Sequence, residues 1–267
     1  MFNLIGRIQE KCEQKKGYKN GIILGRRKGR TIIDTDIQGS IFAIADPRSG
    51  IFISSVIPTI LNWQKNLIIL DIKDEFYDIT SNYRKSIGQD VIKTTEKNID
   101  NLLLGIRDIL NKNKFSLYIC ISFLESNSFK KKVEFLIEEI LKNGEEISEE
   151  TLFILPYFNR LEETELFKEE LYLEKNEKSK LRLFLISDVD SLIELKYNIP
   201  ILFGSLNKKL LFLNSFEDCK GVRFLETLIE EMKPSVNEVL YFNNIKNIKL
   251  EIIEYYKEPY FMKKIKL

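Results

Sequence analysis

Histidine is missing altogether from the 267 residues. Its absence excludes Ser/His and Cys/His nucleophilic mechanisms and removes the commonest metal ligand. Cysteine is scarce: Cys12, Cys120 and Cys219 lie far apart and form no CxxC pair. Neither a zinc site nor a disulfide framework is expected, and the thiols read as reduced, in a cytoplasmic setting. Alanine occurs only at Ala43 and Ala45, whereas Ile, Leu, Lys, Asn and Phe abound. We read this as the coding bias of an A/T-rich genome, which lowers the functional weight of Lys and Asn runs. No apolar run approaches the roughly 18–20 residues that span a bilayer, so no integral membrane segment is expected. Neither charge sign is in excess, with 41 Lys+Arg against 40 Asp+Glu. A near-neutral chain gives no global electrostatic case for wrapping nucleic acid, although a local patch stays open.

The apolar fraction of 44% and charged fraction of 30% are those of an ordinary soluble protein. Residues 1–20 read as an N-terminal helical segment, with Phe2, Leu4, Ile5 and Ile8 at helical spacing. The apolar stretch is too short for a signal-peptide core and lacks a small-residue cleavage site. Residues 21–267 read as one domain in which apolar strand segments alternate with helix-period segments. Strands are expected at 41–45, 66–71, 116–122, 151–155, 182–186 and 210–213. Helices are expected near 51–63, 74–87, 99–112, 126–142, 163–174, 188–196 and 222–232. Continuous apolar strands of this kind belong to a parallel sheet covered on both faces. Residues 21–40 read as a hairpin and 237–256 as a terminal strand pair, a small β element from the two ends.

The stretch "IFAIADPRSGIFISSVIPTILNWQKNLIILDIKDEFYDITSNYRK" from Ile41 runs strand, Ser/Gly turn, helix, strand, then an acidic-lysine turn. A phosphate-binding loop needs this order, because backbone N–H groups and a helix N-terminus together cradle an anion. The stretch resembles the type IV secretion coupling proteins, the TraG/TraD family of conjugative DNA-transfer ATPases. That family's pattern has a P-loop "P-T-x-S-G-K", then "VIP-x-LL-x-W", then "LDPKGE-x-Y-x-x-T-x-x-x-R". The counterparts here are "PRSGIF", "VIPTILNW" and "LDIKDEFYDITSNYR". Downstream, "FSLYICIS" resembles a core strand, and "TLFILPYFNRLEE" resembles the Walker B segment, normally "LLLDEF". "LRLFLISDVDSL" is similar to the strand and turn that carry a Gln in the family's pattern, and "IIEYYKEPYF" to its terminal "YYxDPxF".

The resemblance implies a RecA-like P-loop NTPase core: three layers, α/β, with a mainly parallel sheet. It also implies that the chemical residues of that core are replaced. Ile51 and Phe52 stand where the P-loop Lys and the Mg²⁺-binding Ser/Thr belong. Ala45 replaces the loop's first glycine, Asp46 adds a negative charge, and Pro47, Arg48, Ser49 and Gly50 complete a vestigial loop. Pro156 and Tyr157 occupy the Walker B acid positions. The Gln position reads Asp188, or Ser187 if the register slips by one. Losing one charge-assisted hydrogen bond costs about 1.5–3 kcal/mol, and several such groups are replaced together. The expectation is a pseudo-ATPase with no catalytic residue, no cofactor and no metal.

The transmembrane hairpin of the family has no counterpart, and its all-helical insert is reduced at best to 99–113. The chain is thus expected in the cytoplasm, at the inner face of the membrane only through partners. Those partners are an active coupling-protein homologue, other type IV secretion components, or further copies of itself. Two other readings stay open. Asp71, Lys73, Asp74 and Glu75, with Asp188, form a possible residual polar site. An active NTPase would use Lys73 with Asp74 or Glu75 and would bind ATP and Mg²⁺; its Lys73 would have to reach the loop across adjacent strands. A non-hydrolytic DNA-binding module is the third reading. Against these stands a plainer account: a strand-to-helix turn at Gly50, Ile51 and Phe52 filling the nucleotide's space, and a capped, salt-bridged turn at 71–75. Trp63 and Cys120 then read as core, and Tyr255, Tyr256, Tyr260 and Phe261 as a tail docked on the core or on a neighbouring subunit.

Overall fold

The computed structural model describes residues 20–36, 39–46, 48–121, 126–157, 180–188, 208–212, 223–235, 238–243 and 247–267. The N-terminal helical segment, Pro47 and the expected helix at 163–174 lie outside these residues, as does all of the 188–196 helix except Asp188. The strands are β1 (Ile22–Arg27), β2 (Arg30–Asp34), β3 (Ile41–Ala45), β4 (Asn66–Ile72), β5 (Asp90–Lys93) and β6 (Phe115–Ile121). They continue with β7 (Thr151–Pro156), β8 (Leu181–Ser187), β9 (Lys208–Phe212), β10 (Glu238–Asn243) and β11 (Asn247–Glu251). They form one sheet in the order β2-β1-β11-β10-β9-β3-β8-β7-β4-β6-β5. From β9 to β5 every pairing is parallel; from β2 to β9 every pairing is antiparallel. The end strands therefore extend the main sheet.

Side-chain alternation on each strand divides the core into two faces. Ile41, Ala43, Leu67, Ile69 and Tyr118 face one side, with α1 (Ile57–Asn62), α2 (Glu75–Ser86) and α6 (Pro259–Ile265). Phe42, Ile44, Ile68, Leu70 and Leu117 face the other, with α3 (Ile99–Leu110), α4 (Asn127–Lys142) and α5 (Arg223–Met232). Three layers result. The strand β5 had no sequence expectation: it is a four-residue edge strand, half exposed, with only Val91 and Ile92 to signal it.

The sheet is not flat. Six strand spacings separate β2 from β8, about 29 Å in a flat sheet. Yet Arg182 Nη2 at the start of β8 lies 2.7 Å from Asp34 Oδ2 at the end of β2. The antiparallel end thus rolls back over α1, and β1 lands on that helix: Ile23 N–H donates to Thr59 Oγ1 at 2.9 Å, and Asn62 Nδ2 to Gly21 O at 3.2 Å. The aromatic tail docks on the same side, with Phe261 fully buried and Lys264 Nζ donating to Leu61 O at 2.6 Å.

Candidate functional site

The loops at the C-terminal ends of β3, β8, β7 and β4 share one edge of the sheet. After β3, the Asp46 N–H donates to Phe212 O at 3.1 Å, which ties the loop to β9. Ser49 N–H returns to Asp46 O at 3.0 Å, closing a turn with Arg48 at φ 67 and Gly50 at φ 86. The second value is the left-handed region that glycine enters without steric cost. Arg48 is exposed, whereas Asp46 and Ser49 are buried. Helical structure begins at Ile51, and Phe52–Val56 forms a π turn in which Ile57 N–H reaches Phe52 O, five residues back. A π turn interrupts the regular i→i−4 ladder and often sits at a functional position.

Two of the positions that the resemblance reads as substituted, Phe52 and Tyr157, are in contact. Ile51 is 2% exposed and packs with Ile57 and Ile60 in the core. The Phe52 ring lies edge-on to Phe76 at 5.1 Å and to Tyr157 at 5.7 Å. Such edge-to-face pairs are favourable beyond simple burial. Pro156, which the resemblance aligns with the preceding Walker B position, is buried in β7 opposite Ile186. Asp188 follows β8, is buried, and stands beside the loop, because Ser187 pairs with Ile44. A magnesium-bound triphosphate needs a cation for its terminal phosphates and oxygen ligands for its metal. The residues present, an aliphatic core side chain and three touching aromatic rings, do not fit that group.

The acidic turn follows β4, and Phe76 just beyond it reaches Phe52. Between β3 and β4 stand β8 and β7, so three spacings, about 14 Å, separate the two strands. The adjacency that would bring Lys73 to the loop is absent, and Lys73 is itself exposed. Asp71 is fully buried and accepts from Tyr77 N–H at 2.7 Å and Phe76 N–H at 3.2 Å, satisfying amides of the first turn of α2. Asp74 pairs with Lys93 at 2.9 Å, and Glu75 opens α2 on its exposed side. Asp71, Asp74 and Cys120 bring ligand atoms within 4.8 Å of one another. Those atoms are engaged, however: Asp71 by two amides, Asp74 by Lys93 and by the Cys120 thiol. Partial burial raises the Asp74 carboxyl, but the hydrogen bonds from Lys93 and Cys120 outweigh it and hold it below its ordinary value. Burial pushes the Cys120 thiol far up, so it stays neutral.

Burial also pushes the Asp71 carboxyl up to about 6, against the pull of the Tyr77 and Phe76 amides, and the charges of Asp74 and Glu75 add to the rise. The folded state then binds more protons than the unfolded state between about pH 4 and 6. Stability from this group is complete below pH 4 and is lost as pH rises to 6, on the order of 3 kcal/mol. Urea unfolding at pH 4 and 7 tests this. The native chain should lose that amount between the two pH values relative to Asp71→Asn, and a change of opposite sign would show that the amides dominate.

Residues 2–102 match the model of the family of type IV secretory system conjugative DNA transfer. Over these residues the chain is similar to that family. Among solved structures it is similar to a bacterial conjugative coupling protein, TrwBdeltaN70 in an unbound monoclinic form. That likeness has a TM-score of 0.65 at 9% identity and covers 90% of this chain and 89% of that one. It is also similar to ATPases 2 and 3 of Thermomonospora curvata EccC in complex with a signal sequence peptide. Here the TM-score is 0.50 at 10% identity, over 90% of this chain and 41% of that one. At such identities the likeness is one of fold, the P-loop NTPase fold of coupling proteins. No curated protein matches the chain.

Within the matched residues the buried polar links are architectural. Trp63 is buried and its Nε1 donates to Asn66 O at 2.8 Å. Thr80 Oγ1 donates to Phe76 O at 2.6 Å and lies 2.7 Å from Tyr118 OH. Arg84 is fully buried, with Nε donating to Ser116 Oγ at 2.8 Å and Nη2 to Lys65 O at 2.6 Å. Its Nη1 donates to the carbonyls of Ile60 and Trp63, closing the end of α1. In the sequence, Arg84 and Phe76 stand only as letters of a motif, with no role attached. The signal available was an arginine four residues after Thr80, on the apolar face of a helix.

Proposed function

We propose that this chain is a non-catalytic member of the coupling family, serving a conjugation or type IV secretion system as a scaffold or partner subunit. The observation that carries this reading is the contact of Phe52 with Phe76 and Tyr157. Both substituted landmarks, the loop and Walker B, supply rings to one apolar cluster, where a working site needs a charged and solvated space. The helices, strands and buried polar links of the family segment persist around it, which supports a role for shape and surface. Its partners would be an active homologue, other secretion components, or further copies of itself. Among the described residues no helix is long and apolar enough to cross a membrane, and attachment at the inner face of the membrane would come through those partners.

Calorimetry with Mg-ATP tests the proposal. The native chain should show no binding, and Ile51→Lys with Phe52→Thr should not create any, because Phe76 and Tyr157 still fill the space. A dissociation constant tighter than about 100 μM, roughly −5.5 kcal/mol, would overturn it.

A further inference from the structure

A phosphate-binding loop is ordinarily ordered by its phosphate, and this one is ordered by other means. Three points of the loop and helix 50–62 lie against the C-terminal segment. At its start, a Cβ built on Gly50 would sit 3.7 Å from Ile252 Cδ1 and 3.9 Å from Ile252 Cγ2, so Ile252 lies over the loop. Within the π turn, Ser54 Oγ accepts from Ile253 N–H at 2.9 Å, and both residues are buried. At its end, Lys264 Nζ donates to Leu61 O at 2.6 Å while sitting 4.7 Å over the Tyr83 ring and 4.3 Å over Tyr260. Glu258 pairs with Arg26 at 2.5 Å, which fastens the same segment to β1.

We propose that the segment 252–265 acts as a reversible latch, an internal substitute for the phosphate that orders the loop and helix 48–62. Its composition suits a device that opens. Ile253 and Phe261 are its only fully buried apolar anchors. Beside these run a single 3₁₀ turn (Tyr255–Lys257) and the seven-residue α6, with Ile252, Tyr255, Tyr260 and Ile265 only partly buried against the core and a few polar links. Elements with few buried contacts open locally at a lower free energy than the sheet. Opening would free Gly50, Ser54 and the end of α1 together, because one segment touches all three. A partner that grips the tail would thereby alter the loop.

Hydrogen exchange of the full chain tests this, read by mass spectrometry on the native protein, Lys264→Ala and Glu258→Gln. Residues 48–62 and 252–265 should lose protection together in both variants, by about tenfold or more, while β6 and β7 keep theirs. Faster exchange of 252–265 alone would overturn the latch, since the loop would not depend on it. Equal loss across β6 and β7 would overturn it as well, since the segment would then belong to the global folding unit. The inference rests on the loop being vestigial, and Mg-ATP added to the native chain separates the two failures. Nucleotide-induced protection at 48–56 sinks the vestigial reading, while the effect of the tail is read without nucleotide.

Discussion

Replacing Arg84 with Ala should destabilise the fold by about 4–5 kcal/mol, enough to unfold a domain of ordinary stability at moderate temperature. The guanidinium is the donor for the Ile60, Trp63 and Lys65 carbonyls at the end of α1 and for Ser116 on β6. Removing it leaves those acceptors without their donor and opens a cavity among Trp63, Tyr83 and Tyr118, and the two costs add. No carboxylate is among these partners; backbone carbonyls carry the compensation, and burial lowers the arginine from its usual value to about 10. Lysine should recover little, because one ammonium cannot reproduce a planar fork that serves carbonyls on two sides. Denaturant unfolding of the Ala and Lys variants measures both. A loss under 1 kcal/mol for Ala would mean that the carbonyls find other donors and that Arg84 is not the keystone of this face.

Asp34→Ala should cost about 3–5 kcal/mol by a different route. Asp34 lies 2.7 Å from Arg182 and 3.0 Å from Lys208, and all three are buried. Truncating the carboxylate strands a buried guanidinium, whereas Lys208 keeps Asp36 at 2.9 Å. The double replacement Asp34→Leu with Arg182→Met should restore most of the loss, since apolar side chains of similar size can replace a buried pair. A double-mutant cycle read by thermal or urea unfolding tests the coupling. Strict additivity of the two single changes would remove the ion pair as the clasp that holds the rolled sheet.

These two residues also mark where sequence reasoning reached and where it stopped. The continuous apolar runs of β3, β4, β6, β7 and β8 announce buried parallel strands, and the 3.6-residue spacing of α2, α3 and α4 announces their helices. The terminal hairpin and strand pair were visible from turn glycines and alternation. Strand order was not, because parallel strands are joined through crossovers and need not be neighbours in the order they are made. The adjacency of β3 and β4 that the Lys73 reading requires is therefore absent, with β8 and β7 in between. The roll of the sheet was hidden for a related reason, since Asp34 and Arg182 are 148 positions apart. At the site, Ile51, Phe52 and Tyr157 could be read letter by letter against the pattern that the resemblance implies. That Phe52 and Tyr157 touch could not, because contact between loops of different strands is a property of the fold. The π turn was equally silent: its apolar spacing fits an ordinary helix.

The rolled sheet sets a timetable for the chain as it is made. The edge of β1 is covered by β11, and Arg26 is fastened by Glu258, 232 positions later. At about 5–20 residues per second, the β1–β2 hairpin waits roughly 12–46 seconds for that partner on the ribosome. Throughout that interval it carries Ile22, Ile23 and Leu24 beside an unpaired strand edge, the combination that invites pairing with a neighbouring chain. The parallel core can assemble strand by strand as it emerges, but the wall over α1 closes only after β11 and Glu258 have been made. Protection of the nascent hairpin is thus a demand of this topology, imposed by placing β1 beside β11.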